Sequence, residues 1–253
     1  MTHHDAYVIC TSPRSGSTLL CKLLTATGVA GRPGSYFHRP SIQDWLAYFN
    51  LSPAATSTER EVLEAIFRAA IAKGRGDTGM FGLRLQRHSF DFFAGKLALL
   101  HPTPQGDAAR FQAAFGRTLF IHLTRLDKAE QAVSYVKAQQ TGLWHKAPDG
   151  TELERLSPPE APVYDAERLR ACVGQMTEAD RAWEDWFTRE RIAPLRLTYE
   201  ALSADPPGAL RQVLEALGAD RKAADGIVPG VARLADATSR EWTTRLRAEI
   251  GTG

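Results

Sequence analysis

Cysteine is scarce in this chain of 253 residues, and the little there is has no pattern. Cys10, Cys21 and Cys172 are odd in number, form no CxxC pair and lack metal-ligand spacing, which excludes a disulfide framework and points to free thiols in a reducing compartment, the cytoplasm. Long hydrophobic runs are missing as well. No stretch approaches 18 uninterrupted apolar residues, and the opening MTHHDAYVIC has no basic segment followed by an apolar one, so neither a membrane span nor secretion is expected. There is no excess of one charge either: 31 Lys plus Arg against 29 Asp plus Glu leave a formal net charge of +2, too small for a nucleic-acid-binding surface. No nucleic-acid partner is expected, and any anion must be held locally. With no internal repeat, no low-complexity segment and ordinary Gly and Pro usage, collagen-like, fibrous and disordered classes also fall away.

What is present is enough apolar material for one core, and residues 1–253 are expected to form a single domain. Tyr7 to Thr11 (YVICT) is a short, partly β-branched run that stops at SPRSGST, ahead of the apolar-periodic segment LLCKLLTATG. The pattern reads as strand, glycine-containing turn, helix. GMFGLRLQ, RTLFIHLTR and PLRLTY read as further strands, with helical periodicity between them in STEREVLEAIFRAAIAKG, where Ser57 to Glu61 supplies a cap, in SFDFFAGKLALLH, in DKAEQAVSYVKAQQTGLW and across Asp165 to Arg191. Strands alternating with helices imply an α/β fold whose central parallel sheet of about four or five strands is flanked by helices. The polar, proline-bearing stretch over residues 145–164 is expected to be a surface loop or lid.

The sharpest signal is PRSGSTLL, Pro13 to Leu20, placed directly after a strand and opening a helix. There the turn's backbone N–H groups meet the free N–H groups and positive dipole end of the helix, forming a concave site for a phosphate. Gly16 lets the backbone approach closely, Ser15, Ser17 and Thr18 supply donors, and Arg14 adds a fixed charge with a planar fork of N–H groups. This is not a Walker A loop, because Ser17 stands where GxxxxGK[ST] requires Lys, and FIHLTR ends in Arg125 where a magnesium-holding Asp would be needed. A P-loop kinase or NTPase therefore loses support, and no metal is expected. Arg125, at a strand end, and Ser134, on the helix that follows, both belong to the carboxyl edge of the sheet, where open α/β sheets bind ligands.

Two phosphate elements without a metal resemble the nucleotide-dependent sulfotransferases, and among them the bacterial trehalose sulfotransferase (Stf0-like) family. PRSGSTLL is similar to their loop for the 5′-phosphosulfate of 3′-phosphoadenosine 5′-phosphosulfate (PAPS). HLTRLDKAEQAVSYVKAQQTGLW is similar to their 3′-phosphate element, with Arg125 and Ser134 at matching positions. Shorter similarities are ATGVAGRPGSYF, FGLRL around Arg84, RAWEDWF, LRLTYEAL and the terminal VARLADATSREWTTRLR, in the right order over almost the whole chain. The resemblance implies a P-loop-like sulfotransferase fold, PAPS as donor and adenosine 3′,5′-bisphosphate (PAP) as product, no metal, and a small hydroxylated acceptor such as a sugar or glycolipid head group. It also implies a homodimer, a nucleotide contact from Arg233, and a role for Arg14 where many members have a Lys on the leaving oxygens. A sulfuryl group in transfer carries less charge than a phosphoryl group, so cationic side chains and backbone donors suffice for it.

The general base is where the chain departs from that pattern. After GRPG the family has a Glu and then an aromatic pair, whereas here Ser35 precedes Tyr36 and Phe37. A serine hydroxyl has no basicity near neutral pH, which makes His38 the nearest titratable replacement. A change of acceptor, an impaired site or an altered sequence would each also account for Ser35, and a catalytically silent PAP- or PAPS-binding protein is the opposing function. Trp45, Phe49, Trp144, Trp183 and Trp186 are expected in the core, with the lining of an acceptor pocket as the alternative for Trp144, and His122 is expected as a satisfied core histidine.

Overall fold

The computed structural model describes residues 3–232 and 234–251. Arg233, expected at the nucleotide, lies outside the described residues. Among the described residues six strands occur in chain order: β1 (Ala6–Thr11), β2 (Phe81–Gln86), β3 (Thr118–Thr124), β4 (Leu143–Lys146), β5 (Glu152–Arg155) and β6 (Leu195–Thr198). Four of them form a parallel sheet in the order β2-β1-β3-β6, while β4 and β5 pair as a separate antiparallel hairpin. Every residue of β1 is buried, as a central parallel strand requires, and the strand divides its side chains by the two-residue period. Ala6, Val8 and Cys10 join one core cluster, and Tyr7 and Ile9 join the other.

The first cluster is aromatic. It packs Trp45 from α2 (Ile42–Phe49), Phe67 from α3 (Glu59–Arg75), Phe90 and Phe93 from α4 (Arg87–Leu100), Phe111 from α5 (Asp107–Phe115), and Trp183 and Trp186 from α7 (Ala166–Arg189). Across the sheet, α1 (Ser17–Ala26), α8 (Tyr199–Ala204) and α9 (Pro206–Leu217) supply an aliphatic cluster. A third cluster joins α6 (Lys128–Thr141) to α7 and α10 (Ala237–Gly251). Helix starts follow their capping residues: Thr58 and Glu61 form a reciprocal capping box on α3, and Asp165 accepts from Arg168 N at 2.9 Å on α7. Among the described residues no helix is long and apolar enough to cross a membrane.

The segment expected as a loop differs in part. Residues 143–155 form the β4–β5 hairpin, closed by Ala147 N–H donating to Thr151 O at 2.8 Å and turned through Gly150 at φ 90°. Asp149–Gly150 is a tight-turn dipeptide, and polarity elsewhere in the stretch conceals it. Trp45, Trp183 and Trp186 are buried as expected, Phe49 is only partly so, and Trp144 is half-buried at the mouth of a cleft. His122 is buried but incompletely satisfied: Nδ1 lies 2.8 Å from Glu184 Oε1, while Nε2 has no partner among the described residues.

Candidate active site

Because β1, β2, β3 and β6 are parallel, their carboxyl ends share one edge, and a cleft of about 1430 Å³ opens over it. The chain leaving β1 turns sharply there. Arg14 takes a left-handed φ of 62°, uncommon for a residue with a Cβ, and Gly16 follows at φ 85°. A Cβ on Gly16 would stand 2.6 Å from Tyr199 Cδ2, so only glycine fits. No side chain caps α1, and its first turn holds no acidic residue, which leaves the helix's positive end available to an anion. Ser17 and Thr18 line the cleft. Ser15 is fully buried, its hydroxyl paired with that of Thr11 beneath the loop.

The loop is held from below by a polar network. Ser12 Oγ donates to Asp180 Oδ1 (3.1 Å), Gln131 Nε2 donates to Pro13 O (2.6 Å) and Ser12 Oγ (3.0 Å), and Lys128 Nζ reaches both Gln131 Oε1 and Asp180 Oδ2. Trp183 Nε1 adds a bond to Thr11 O at 3.0 Å.

Arg125 follows β3 and is almost wholly buried. Its Nη2 donates to Glu130 Oε2 at 2.7 Å and its guanidinium lies 4.4 Å from the centre of the Tyr199 ring, yet Nε is buried without a partner among the described residues. A buried, unpaired donor on a charged group is costly, and an anion in the cleft would satisfy it. Ser134 on α6 joins the phosphate loop through Arg14, whose Nε donates to Ser134 Oγ at 2.9 Å and whose Nη1 donates to Trp144 O at 2.7 Å. Burial, then the Arg125 charge, lowers the Arg14 pKa to about 10, so it stays protonated at neutral pH. The two phosphate elements read from sequence thus converge on a single arginine.

The loop bearing Ser35 is fixed to the sheet by a parallel bridge between Gly34 and Leu83, with Arg84 N–H donating to Gly34 O at 3.0 Å. This sets Arg84 between two parts of the site. Its Nε donates to Ser35 Oγ at 2.6 Å and its Nη1 to Thr18 Oγ1 at 2.8 Å. His38 also lines the cleft, with its ring edge-on to His88 at 4.9 Å between centres. Burial first, and then the charges of His88, Arg84 and Arg39, hold its pKa below the ordinary value. A second histidine comes closer to the phosphate loop: His145 Nε2 on β4 is 3.1 Å from Thr18 Oγ1 and 3.4 Å from Glu154 Oε2. Arg245 and Arg247 turn to Glu249 and Asp127.

The Stf0 sulphotransferase family model matches residues 6–249, a span that contains every element of this cleft. The chain belongs to that family. It is 30% identical to trehalose 2-sulfotransferase of Mycobacterium tuberculosis over 96% of this chain and 94% of the relative, and 30% identical to the trehalose 2-sulfotransferase of Mycolicibacterium smegmatis over 98% and 96%. Among solved structures it is similar to a sulfotransferase from Alicyclobacillus acidocaldarius, with TM-score 0.43, 18% identity and coverage of 99% and 97%. It is also similar to the sulfotransferase domain of the Synechococcus PCC 7002 olefin synthase, with TM-score 0.46, 14% identity and coverage of 98% and 89%. As an Stf0 sulphotransferase the protein is an enzyme of sulfuryl transfer, and its cleft gathers Arg14, Gly16, Ser17, Thr18, Ser35, His38, Arg125 and Ser134. Sequence reasoning passed over His145 and gave Arg84 no role. An arginine inside the otherwise buried strand FGLRLQ was a usable signal for Arg84, whereas His145 becomes visible only once the hairpin is drawn.

Proposed function

We propose that the protein transfers the sulfuryl group of PAPS to a hydroxyl of a small carbohydrate, with trehalose as the first acceptor to test, and releases PAP. The observation that carries this reading is the convergence of Arg14, Ser134 and Arg125, whose buried Nε has no partner among the described residues, beside the uncapped start of α1. The N-terminus of α1 with Ser17 and Thr18 takes the 5′-phosphosulfate, and Arg125 with Ser134 takes the 3′-phosphate. Arg14, between the two, offsets the charge that grows on the departing phosphate, and Arg84, bonded to Thr18, faces the sulfuryl group. The space supports two substrates at once, since about 1430 Å³ exceeds what a single small ligand usually fills. The 30% identity to two trehalose 2-sulfotransferases over nearly the full length supports a disaccharide acceptor.

The residue types favour transfer without a metal, because arginines and serines occupy the places where a magnesium-dependent nucleotide enzyme has Lys and Asp. On the Ser35 loop itself, His38 is the titratable side chain that lines the cleft. Three free, buried cysteines support a cytoplasmic location. The reading includes a homodimer in which the aromatic segment from Tyr36 to Phe49 and Trp144 border the subunit contact; light scattering at the monomer mass would remove it.

Ser35 is the observation that favours the rival reading, a silent PAP-binding protein. Calorimetry and a labelled-sulfate screen separate the two. PAP should bind in EDTA more tightly than ATP with magnesium, and label should pass from PAPS to a sugar. Tight PAP binding with no transfer to sugars, glycolipid head groups or phenols would favour the silent protein.

A further inference from the structure

Ser35 leaves the reaction without an obvious group to receive the acceptor's proton, and the β4–β5 hairpin brings one to the phosphate loop. We propose that His145 Nε2 takes the proton from the acceptor hydroxyl and that Glu154 steadies the resulting imidazolium; this rests on the sulfuryl-transfer reading above. His145 and Glu154 are cross-strand partners on the hairpin, and the hairpin is itself fastened to the loop through the Trp144 carbonyl that receives Arg14 Nη1.

His145 Nε2 faces both the Thr18 hydroxyl and the Glu154 carboxylate. Thr18 Oγ1 already accepts from Arg84 Nη1 at 2.8 Å, so its own hydrogen is free to point at His145 Nε2, 3.1 Å away. In the tautomer this proposal uses, the ring proton is on Nδ1 and Nε2 accepts from Thr18, and Glu154 Oε2, 3.4 Å from the same nitrogen, is placed to receive Nε2–H once the ring is protonated. The surroundings agree. Burial foremost, followed by the charges of Arg14 on the loop, Arg84 on β2 and Lys22 on α1, pushes the His145 pKa down to about 3, so the 3.4 Å contact with Glu154 on β5 is no ion pair in the free protein. A bound phosphosulfate carries negative charge to Arg14 and Arg84, offsets their repulsion and returns the imidazole toward its ordinary range, where it is a competent base.

In the step itself, the acceptor O–H bond breaks and its proton passes to the Nε2 lone pair while the acceptor oxygen bonds to sulfur. The bond from sulfur to the bridging oxygen breaks with its electron pair going to the phosphate of PAP, beside Arg14. The imidazolium, next to the Glu154 carboxylate, then loses its proton to water. By comparison, His38 directs its ring at His88, and its own carbonyl is 3.1 Å from His88 Nε2.

The test uses the full-length protein and two independent readouts. Nitrogen NMR of the histidine rings in the PAP complex should show His145 neutral with its proton on Nδ1; an imidazolium, or a proton on Nε2, at pH 7 overturns the assignment. With PAPS and trehalose, His145→Gln should lower kcat by roughly 10²–10⁴-fold, leave the PAP dissociation constant within about twofold, and remove the limb over which rate rises with pH. Added imidazole should restore part of the rate to His145→Ala, which a merely structural histidine would not allow. Retention of more than about a third of the rate in His145→Gln, a parallel loss of PAP affinity, or disappearance of the pH limb in His38→Ala but not in His145→Gln, overturns it. Should the wild-type protein bind PAP yet sulfate no trehalose, the acceptor reading fails, and the NMR result alone decides His145.

Discussion

Arg125 shows how little of a residue's surroundings can be inferred from its identity. Its strand-end position was legible in RTLFIHLTR, but the bonds it donates to Glu130 and to the Arg14 carbonyl, with no partner for Nε among the described residues, depend on α6 and Tyr199 folding over it. Removing it takes away a charged donor that an anion would satisfy, so Arg125→Ala should weaken PAP binding by about 10–100-fold in calorimetry, at about 1.5–3 kcal/mol for a charge-assisted bond. Unchanged affinity would place the 3′-phosphate elsewhere. Gly16 was legible as a position that calls for glycine, and the structure gives a constraint of its own there: positive φ together with Tyr199 within 2.6 Å of any Cβ. Gly16→Ala should therefore destabilise the fold by more than about 1 kcal/mol in urea unfolding and abolish PAP binding. Ser35 was readable as a departure from the family pattern, yet its bond to Arg84 was not, because it requires the bridge between Gly34 and Leu83.

Elements with a clear period were the easiest to infer. β1, β3 and β6 and the helices that follow them emerge from alternation, caps and proline placement, because local sterics and burial act in the same direction there. The β4–β5 hairpin escaped because its outward residues are polar on both sides of Asp149–Gly150 and no apolar face marks its register. The network beneath the phosphate loop escaped for another reason: Ser12, Lys128, Gln131 and Asp180 are scattered over 168 positions and unite only when α6 and α7 pack on β1. Lys128 and Asp180 are largely buried, so Asp180→Ala strands a cation and releases Ser12. It should cost about 2 kcal/mol in urea unfolding and also weaken PAP binding, whereas a loss of stability alone would mean that the network does not position the loop.

For the molecule as a whole, the histidines set a pH dependence. His145, at about 3, and His122, which burial holds low against the opposing pull of Asp180 and Glu184, both bind protons more readily when unfolded than when folded. Stability is therefore full above the ordinary histidine range near 6.5 and declines as pH falls through it toward the folded values, by up to about 1.4 kcal/mol per pH unit for each such histidine. Urea midpoints should drop between pH 7 and pH 5, and the drop should be smaller in His145→Gln. A midpoint that rose on acidification would show that these rings are protonated in the fold.

The central claim, that two arginine-centred phosphate elements serve sulfuryl transfer to a carbohydrate hydroxyl, is tested most directly by incubating the purified protein with PAPS and trehalose in EDTA and identifying the products by mass spectrometry. Monosulfated trehalose and PAP should appear together, in equal amounts, and both should vanish with Arg14→Ala. PAP formation without any sulfated sugar, or a product that depends on added magnesium, would contradict the account.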